Sequence, residues 1–162
     1  MHNNDIALIH PIHDGPARHC DPTQIRAIPL YQGAPAPGGT PVTSSGWGKT
    51  LPVEGNAPNA VRLKVDLRVM DQQQCAQLPG YGTEKVPSKV FCAANPLCST
   101  CQGDSGGPII LTNGVPTLVG IISWGKKRCS GDGQPGVCTR VQRYLGWIQR
   151  AMKLDPRRNA RR

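Results

Sequence analysis

No apolar run of about 18 residues occurs anywhere in the sequence, so no helix of membrane-spanning length is expected. Aromatic side chains are scarce at 4%, whereas glycine and proline are plentiful at 19 and 16 residues. That much Gly and Pro argues against a helical bundle and suits short strands joined by many turns. The first residues, MHNNDIALIHPIHDG, lack the basic start and long apolar stretch of a signal peptide. Internal repeats are absent. The 162 residues suffice for one domain of ordinary size with a real core.

Acidic residues are few: ten Asp and Glu against 19 Lys and Arg, a formal net charge of +9. Much of the excess lies at the end, where seven Lys/Arg face one Asp between Arg143 and Arg162. The tail LDPRRNARR has no apolar periodicity and reads as a solvated, frayed terminus. A polyanion-binding patch is the competing reading. Nucleic acid is the weaker form of it, because no aromatic residue interleaves with the tail arginines to stack bases.

Cysteine is abundant, with seven residues. Cys98 and Cys101 have C-x-x-C spacing, but no second pair or H-x-x-x-H follows at zinc-finger distance, so disulfides come ahead of a metal. No metal or cofactor is implied. Disulfides imply export to an oxidising compartment, secreted or periplasmic. That conflicts with the missing export signal unless the true N-terminus lies upstream of Met1.

Along the chain, DIALI (5–9) is a short apolar run consistent with a buried strand. Residues 10–41 are loop-like and end in the connector YQGAPAPGGTP. VRLKVDLRV (61–69) alternates, with Val61, Leu63, Val65, Leu67 and Val69 on one face, as a half-buried antiparallel strand does. PIIL (108–111) and TLVGIISW (117–124) flank Asn113-Gly114, a hairpin signal. GVCTRV (136–141) is a further strand. Helical spacing is convincing only at Val141, Tyr144/Leu145, Ile148 and Met152. The pattern predicts a small antiparallel barrel or sandwich closed by one C-terminal helix.

CQGDSGGP (101–108) sets a serine between an aspartate and two glycines, as if to present one hydroxyl. A serine hydroxyl is a poor nucleophile unless a base takes its proton. This stretch resembles the nucleophile loop of the chymotrypsin/trypsin-like serine proteases. NNDIALI (3–9) is similar to the segment with that family's triad aspartate, and SGWG (45–48), SWG (123–125), PGVCTRV (135–141) and the helix around Trp147 follow in the family's order. The resemblance runs through residues 1–153. It implies an all-β fold: a trypsin-like antiparallel Greek-key β-barrel with a C-terminal α-helix. Residues 1–30 would be a remnant of the N-terminal barrel, 31–41 a linker, 42–153 the C-terminal barrel with its helix, and 154–162 a basic disordered tail.

The same resemblance implies the roles. Ser105 would be the nucleophile of a serine endopeptidase, with the N–H groups of Gly103 and Ser105 as its oxyanion hole. Asp5 would be the buried carboxylate that orients the base, held by Ser123. The Ser123–Gly125 backbone would pair with an extended polypeptide substrate. Asp104 would take the α-amino group released on activation; without it, the loops 98–104 and 126–136 are expected to be disordered or zymogen-like. The substrate pocket would involve Ser99, Thr100, Gln102, Ser123, Trp124, Gly125 and Gly136. Ser99 would be its neutral base, predicting cleavage after large apolar or aromatic residues rather than after Lys or Arg. The implied bridges are Cys75–Cys92 and Cys101–Cys129, with Cys98–Cys138 as a further pair and Cys20 left over. A bridge common in the family falls here at Val42 and Leu111 and is absent.

The base itself is missing. The family's order is His, Asp, Ser, and only four residues precede Asp5. His2 is too close in sequence, and His10, His13 and His19 follow Asp5. Ala17-Arg18-His19-Cys20 imitates the family's histidine motif on the wrong side. The chain thus reads as the C-terminal two-thirds of such a protease, inactive alone, needing the missing N-terminal segment or a complementing chain as partner. The rival readings are a protease-like binding module without catalysis and a polyanion binder acting through the tail.

Overall fold

In a computed structural model of the chain, residues 4–9, 26–50, 60–125 and 134–153 are described. Six strands follow one another: β1 (Pro41–Gly46), β2 (Leu63–Val69), β3 (Val90–Ala94), β4 (Pro108–Leu111), β5 (Thr117–Trp124) and β6 (Gly136–Arg140). They close a barrel in the order β1-β2-β3-β6-β5-β4, every neighbour antiparallel. β4 and β5 coincide with the two apolar runs expected as strands. The connection between them holds Gly114 at φ 99°, the left-handed region that suits glycine at the predicted turn.

Alternation puts one face of each strand inside. Val42, Leu67, Val69, Phe91, Ile109, Leu111, Val119, Ile122 and Cys138 form the barrel core. Val42 and Leu111, the positions at which the resemblance implies that a bridge is absent, both lie in it. The alternating β2 is inward only at its C-terminal half: Leu67 and Val69 are buried, Leu63 exposed.

The strand order matters for function. Because β3 pairs with β6 rather than with β4, the connection 95–107 must cross the barrel to reach the β1/β5 side. That crossing is the CQGDSGG stretch, set over one end by topology rather than by its own propensity.

Two helices flank the barrel. Val141–Tyr144 is a 3₁₀ turn that continues into α2 (Leu145–Lys153). Val141, Tyr144 and Ile148 pack with Ile6, Leu30, Leu118, Ile121 and Leu145, whereas Met152, expected on this face, is 47% exposed. A short helix, α1 (Gln72–Gln77), had no counterpart in the apolar pattern. Its signal is polar: Asp71 caps it, its carboxylate accepting from Gln73 N (2.9 Å) and Gln74 N (3.1 Å). α1 delivers Cys75 to β3, where the Cys75–Cys92 disulfide forms as the family resemblance implied.

DIALI is not a buried strand. Only Ile6 is partly covered; Leu8 and Ile9 are 45% and 91% exposed, and no strand pairs with the segment. It is held to β6 and α2 by side chains instead of a ladder.

Candidate active site

The chain 101–107 consists of two tight turns in series. Asp104 N donates to Cys101 O (3.0 Å) and Gly107 N to Asp104 O (2.8 Å). In each turn the third residue is glycine with positive φ, Gly103 at 97° and Gly106 at 79°, a conformation that side-chain-bearing residues resist. Ser105 follows the first turn as the second residue of the second, and is exposed. Gly106 N donates to Ile122 O and Ile122 N to Gly107 O, both 2.9 Å, so the second turn is stitched onto β5. Among the described residues, the N–H groups of Gly103 and Ser105 have no hydrogen-bond acceptor.

Asp104 anchors the turns from beneath. Its carboxylate accepts from Gly48 N (2.8 Å) and Cys101 N (2.9 Å). A Cβ on Gly46 or Gly48 would fall within 2.5 Å of the same carboxylate, so SGWG and GDSGG meet as seat and occupant. Two backbone amides thus hold the Asp104 carboxylate; of the second expected loop, 126–133 lie outside the described residues. Lys49 adds two ties, N to Gln102 O (2.9 Å) and Nζ to Gln102 Oε1 (2.6 Å).

Beside Ser105 lies a cavity of about 240 Å³ lined by Thr100, Cys101, Gln102, Ser105, Ile122, Ser123, Trp124 and Gly125. Register explains Ser123. β5 pairs with β6 at Ile122↔Cys138 and then at Trp124↔Val137, which leaves Ser123 as the extra residue of a bulge. Its hydroxyl donates to Asp5 Oδ2 at 2.5 Å, and Thr139 Oγ1 donates to Asp5 O at 2.7 Å. Asp5 therefore reaches the cavity that Ser105 lines, through one shared residue. It is exposed rather than buried, because β5 and β6 cover it from one side only.

Trp124 forms part of the wall. Its ring stacks on Tyr81 with centroids 5.5 Å apart, and Tyr81 Oη donates to Pro135 O at 2.7 Å. Tyr81 belongs to a second cluster with Cys75, Val86, Val90, Cys92 and Val137, so the disulfide braces the wall from behind. The sequence reading missed Tyr81; an aromatic residue between two glycines in a polar loop was its one local signal.

Two expected pocket residues sit elsewhere. Ser99 lines a separate hollow of about 270 Å³ with Cys98, Asp104, Lys49 and Lys64, while Gly136 is buried behind Thr100, whose Oγ1 is 2.8 Å from where a Cβ would stand. The turn at Cys101 directs Ser99 away from the Ser105 side.

The Cys98–Cys138 bridge does not form: Cys98 is an exposed free thiol and Cys138 a buried one. Cys138 points into the barrel core from β6, paired in register with Phe91 and Ile122, whereas Cys98 lies near β1 and β2 at the second hollow. Burial pushes the Cys138 thiol up to about 12. Cys101 is disulfide-bonded. Cys129, its expected partner, lies outside the described residues, as do Cys20 and all four histidines.

Comparison with known proteins places this geometry. The sequence matches the trypsin family signature over residues 1–148. It is 41% identical over 127 residues to trypsin iota of Drosophila melanogaster, covering 78% of this chain and 47% of that protein. It is 34% identical over 166 residues to CLIP domain-containing serine protease B14 of Anopheles gambiae, covering 94% of this chain and 43% of the relative. Among solved structures, neuropsin, a serine protease expressed in the limbic system of mouse brain, superposes with a TM-score of 0.66 at 32% identity, over 80% of this chain and 55% of its own. The chain spans less than half the length of the two curated relatives.

Proposed function

The chain belongs to the trypsin family, and on that premise we propose that it is the nucleophile-bearing part of a serine endopeptidase working by acyl transfer through Ser105. The supporting observation is the cavity shared by Ser105 and Ser123, with the Ser123 hydroxyl bonded to Asp5. The roles follow the family's established template. Ser105 Oγ attacks the scissile carbonyl carbon while a histidine takes its proton. Oxygen charge then develops where the N–H groups of Gly103 and Ser105 are left unengaged. Collapse expels the amine, which receives the proton from the histidine. Water, deprotonated in turn, releases the acyl group from Ser105. Asp5 keeps the imidazole in the right tautomer and stabilises its cation.

We assign the base to the part of the family fold that this chain does not span. Residues 1–30 are then the edge of the N-terminal barrel, 31–41 the linker and 42–153 the C-terminal barrel. The Cys75–Cys92 bridge favours a secreted or periplasmic site of action. The cavity's described lining offers Thr100, Ile122 and Trp124 and no carboxylate, which favours cleavage after large apolar or aromatic residues. A buried Lys or Arg there would lack a counter-charge.

The decisive experiment supplies the histidine-bearing segment and treats the assembled protein with a fluorophosphonate. Labelling of Ser105, with peptidase activity lost in Ser105→Ala, is expected. Activity that survives Ser105→Ala refutes the mechanism. Matched substrates ending in Phe, Tyr, Leu, Lys or Arg test the specificity, and higher kcat/KM for Lys or Arg overturns it.

A further inference from the structure

Asp5 is the middle residue of a very tight turn. Ile6 N donates to Asn4 O at 2.8 Å, an i to i+2 hydrogen bond that closes a γ-turn around it. Such a turn is a weak element alone. On its C-terminal side Ile6 is packed against Val141, Tyr144 and Ile148. On its N-terminal side stands Asn4, the one described non-glycine residue with positive φ, at 59°. Asparagine tolerates that region better than most residues, but the conformation persists only where surroundings enforce it.

The enforcement is visible. Asn4 Oδ1 accepts from two donors far away in sequence, Lys89 Nζ at 2.8 Å and Tyr144 Oη at 3.1 Å. Tyr144 is 7% exposed, and Asn4 Oδ1 is its hydroxyl's hydrogen-bond partner. Lys89 is fixed in turn, its carbonyl accepting from Arg140 N at 2.8 Å. One amide oxygen is therefore clamped between the start of β3 and the 3₁₀ turn before α2. Nothing in the acyl-transfer roles above uses these three residues.

We infer that Asn4, clamped by Tyr144 and Lys89, is a positioning residue that sets the γ-turn and so aims the Asp5 carboxylate. The inference rests on the reading of Asp5 as the carboxylate that orients the base. The clamp touches no substrate. It acts only on the direction of Asp5, whose side chain and carbonyl are already held by Ser123 and Thr139. Loss of the clamp lets the turn relax and should affect kcat while leaving substrate binding intact.

The test uses the assembled, active protein. Tyr144→Phe deletes the hydroxyl and keeps the packed ring; Asn4→Gly deletes the clamp and keeps the left-handed backbone accessible. Tyr144→Phe is expected to lower kcat about tenfold with KM unchanged, the loss of one part-buried hydrogen bond acting on the chemical step, and Asn4→Gly to lower it further because the Lys89 bond goes as well. The double variant should fall no further than Asn4→Gly alone, which already removes both bonds. In an Asp5→Asn background neither substitution should lower kcat again. Lys89→Gln, at an exposed position, serves as a third variant that cannot disturb the core; about a threefold fall is expected. Unchanged kcat in all three variants overturns the inference, as does an equal fall in the Asp5→Asn background. Full activity of Asp5→Asn itself instead overturns the reading of Asp5.

Discussion

Raising the pH should destabilise this protein through the buried Cys138 thiol. Cys138 is 1% exposed inside the barrel, between Phe91 on β3 and Ile122 on β5, with no charge in the core cluster around it. Burial lifts it from an ordinary 9.0 to about 12. The sign follows directly. The native state holds the neutral thiol, and the unfolded chain gives up the proton first. The associated stability is therefore complete below pH 9.0 and is lost as pH climbs toward about 12. A gap of that size corresponds to about 4 kcal/mol at most, a large share of a small domain's stability. The assay is the urea midpoint between pH 8 and 11, run on the protein and on Cys138→Val, which keeps an apolar side chain there without a proton to lose. The parent should lose stability more steeply, the difference growing by about 1.4 kcal/mol per pH unit above the unfolded thiol's range. In native protein at pH 8, iodoacetamide should modify Cys98 and leave Cys138 untouched. Equal rates for the two thiols, or parallel pH curves for parent and Cys138→Val, refute the reasoning.

Gly103→Ala should strain the first turn, because φ is 97° and the new Cβ would lie 3.1 Å from Gly48 Cα; we expect kcat of the assembled enzyme to fall by about 10² while the fold, followed by circular dichroism, survives. Ser123→Ala removes the donor to Asp5 Oδ2 and should cost about tenfold in kcat with little change in KM, read from steady-state kinetics. Replacing Cys75 and Cys92 together by Ala opens a loop of 17 residues and should lower unfolding free energy by about 3 kcal/mol in urea titrations. A shift below about 1 kcal/mol would show that α1 holds Tyr81 behind Trp124 without the bridge.

What could be read beforehand followed periodicity and punctuation. PIIL and TLVGIISW announced β4 and β5 because core-facing runs bounded by turn residues have few other uses. The turns around Ser105 were legible because two glycines in fixed positions meet a backbone demand that other residues resist. α1 was not, since a six-residue helix with only Cys75 buried leaves no stripe to detect. DIALI misled for the opposite reason: its apolar residues look like a strand, yet only Ile6 finds a packing partner in this chain. Ser99 and Gly136 show a different limit. Motif register says which residues lie near a pocket, but the turn at Cys101 and the contact between Thr100 and Gly136 decide which of them face it. The expected Cys98–Cys138 pair does not form because Cys138 points into the barrel core from β6 while Cys98 lies near β1 and β2.

The bond from Ser123 to Asp5 spans 118 residues. Barrel closure is also long-range: β1 finds β4 across some sixty residues, and β3 finds β6 across more than forty. Pairings of that kind form late, after the entropy of large loops has been overcome. A ribosome would have to release the chain beyond β6 before the serine turn, the bulge and Asp5 could be linked through Ser123. A nascent or partly folded chain therefore cannot present this constellation, whatever its local turns have already done. If Ser105 is the nucleophile proposed above, the order of assembly is itself a delay, set by strand order.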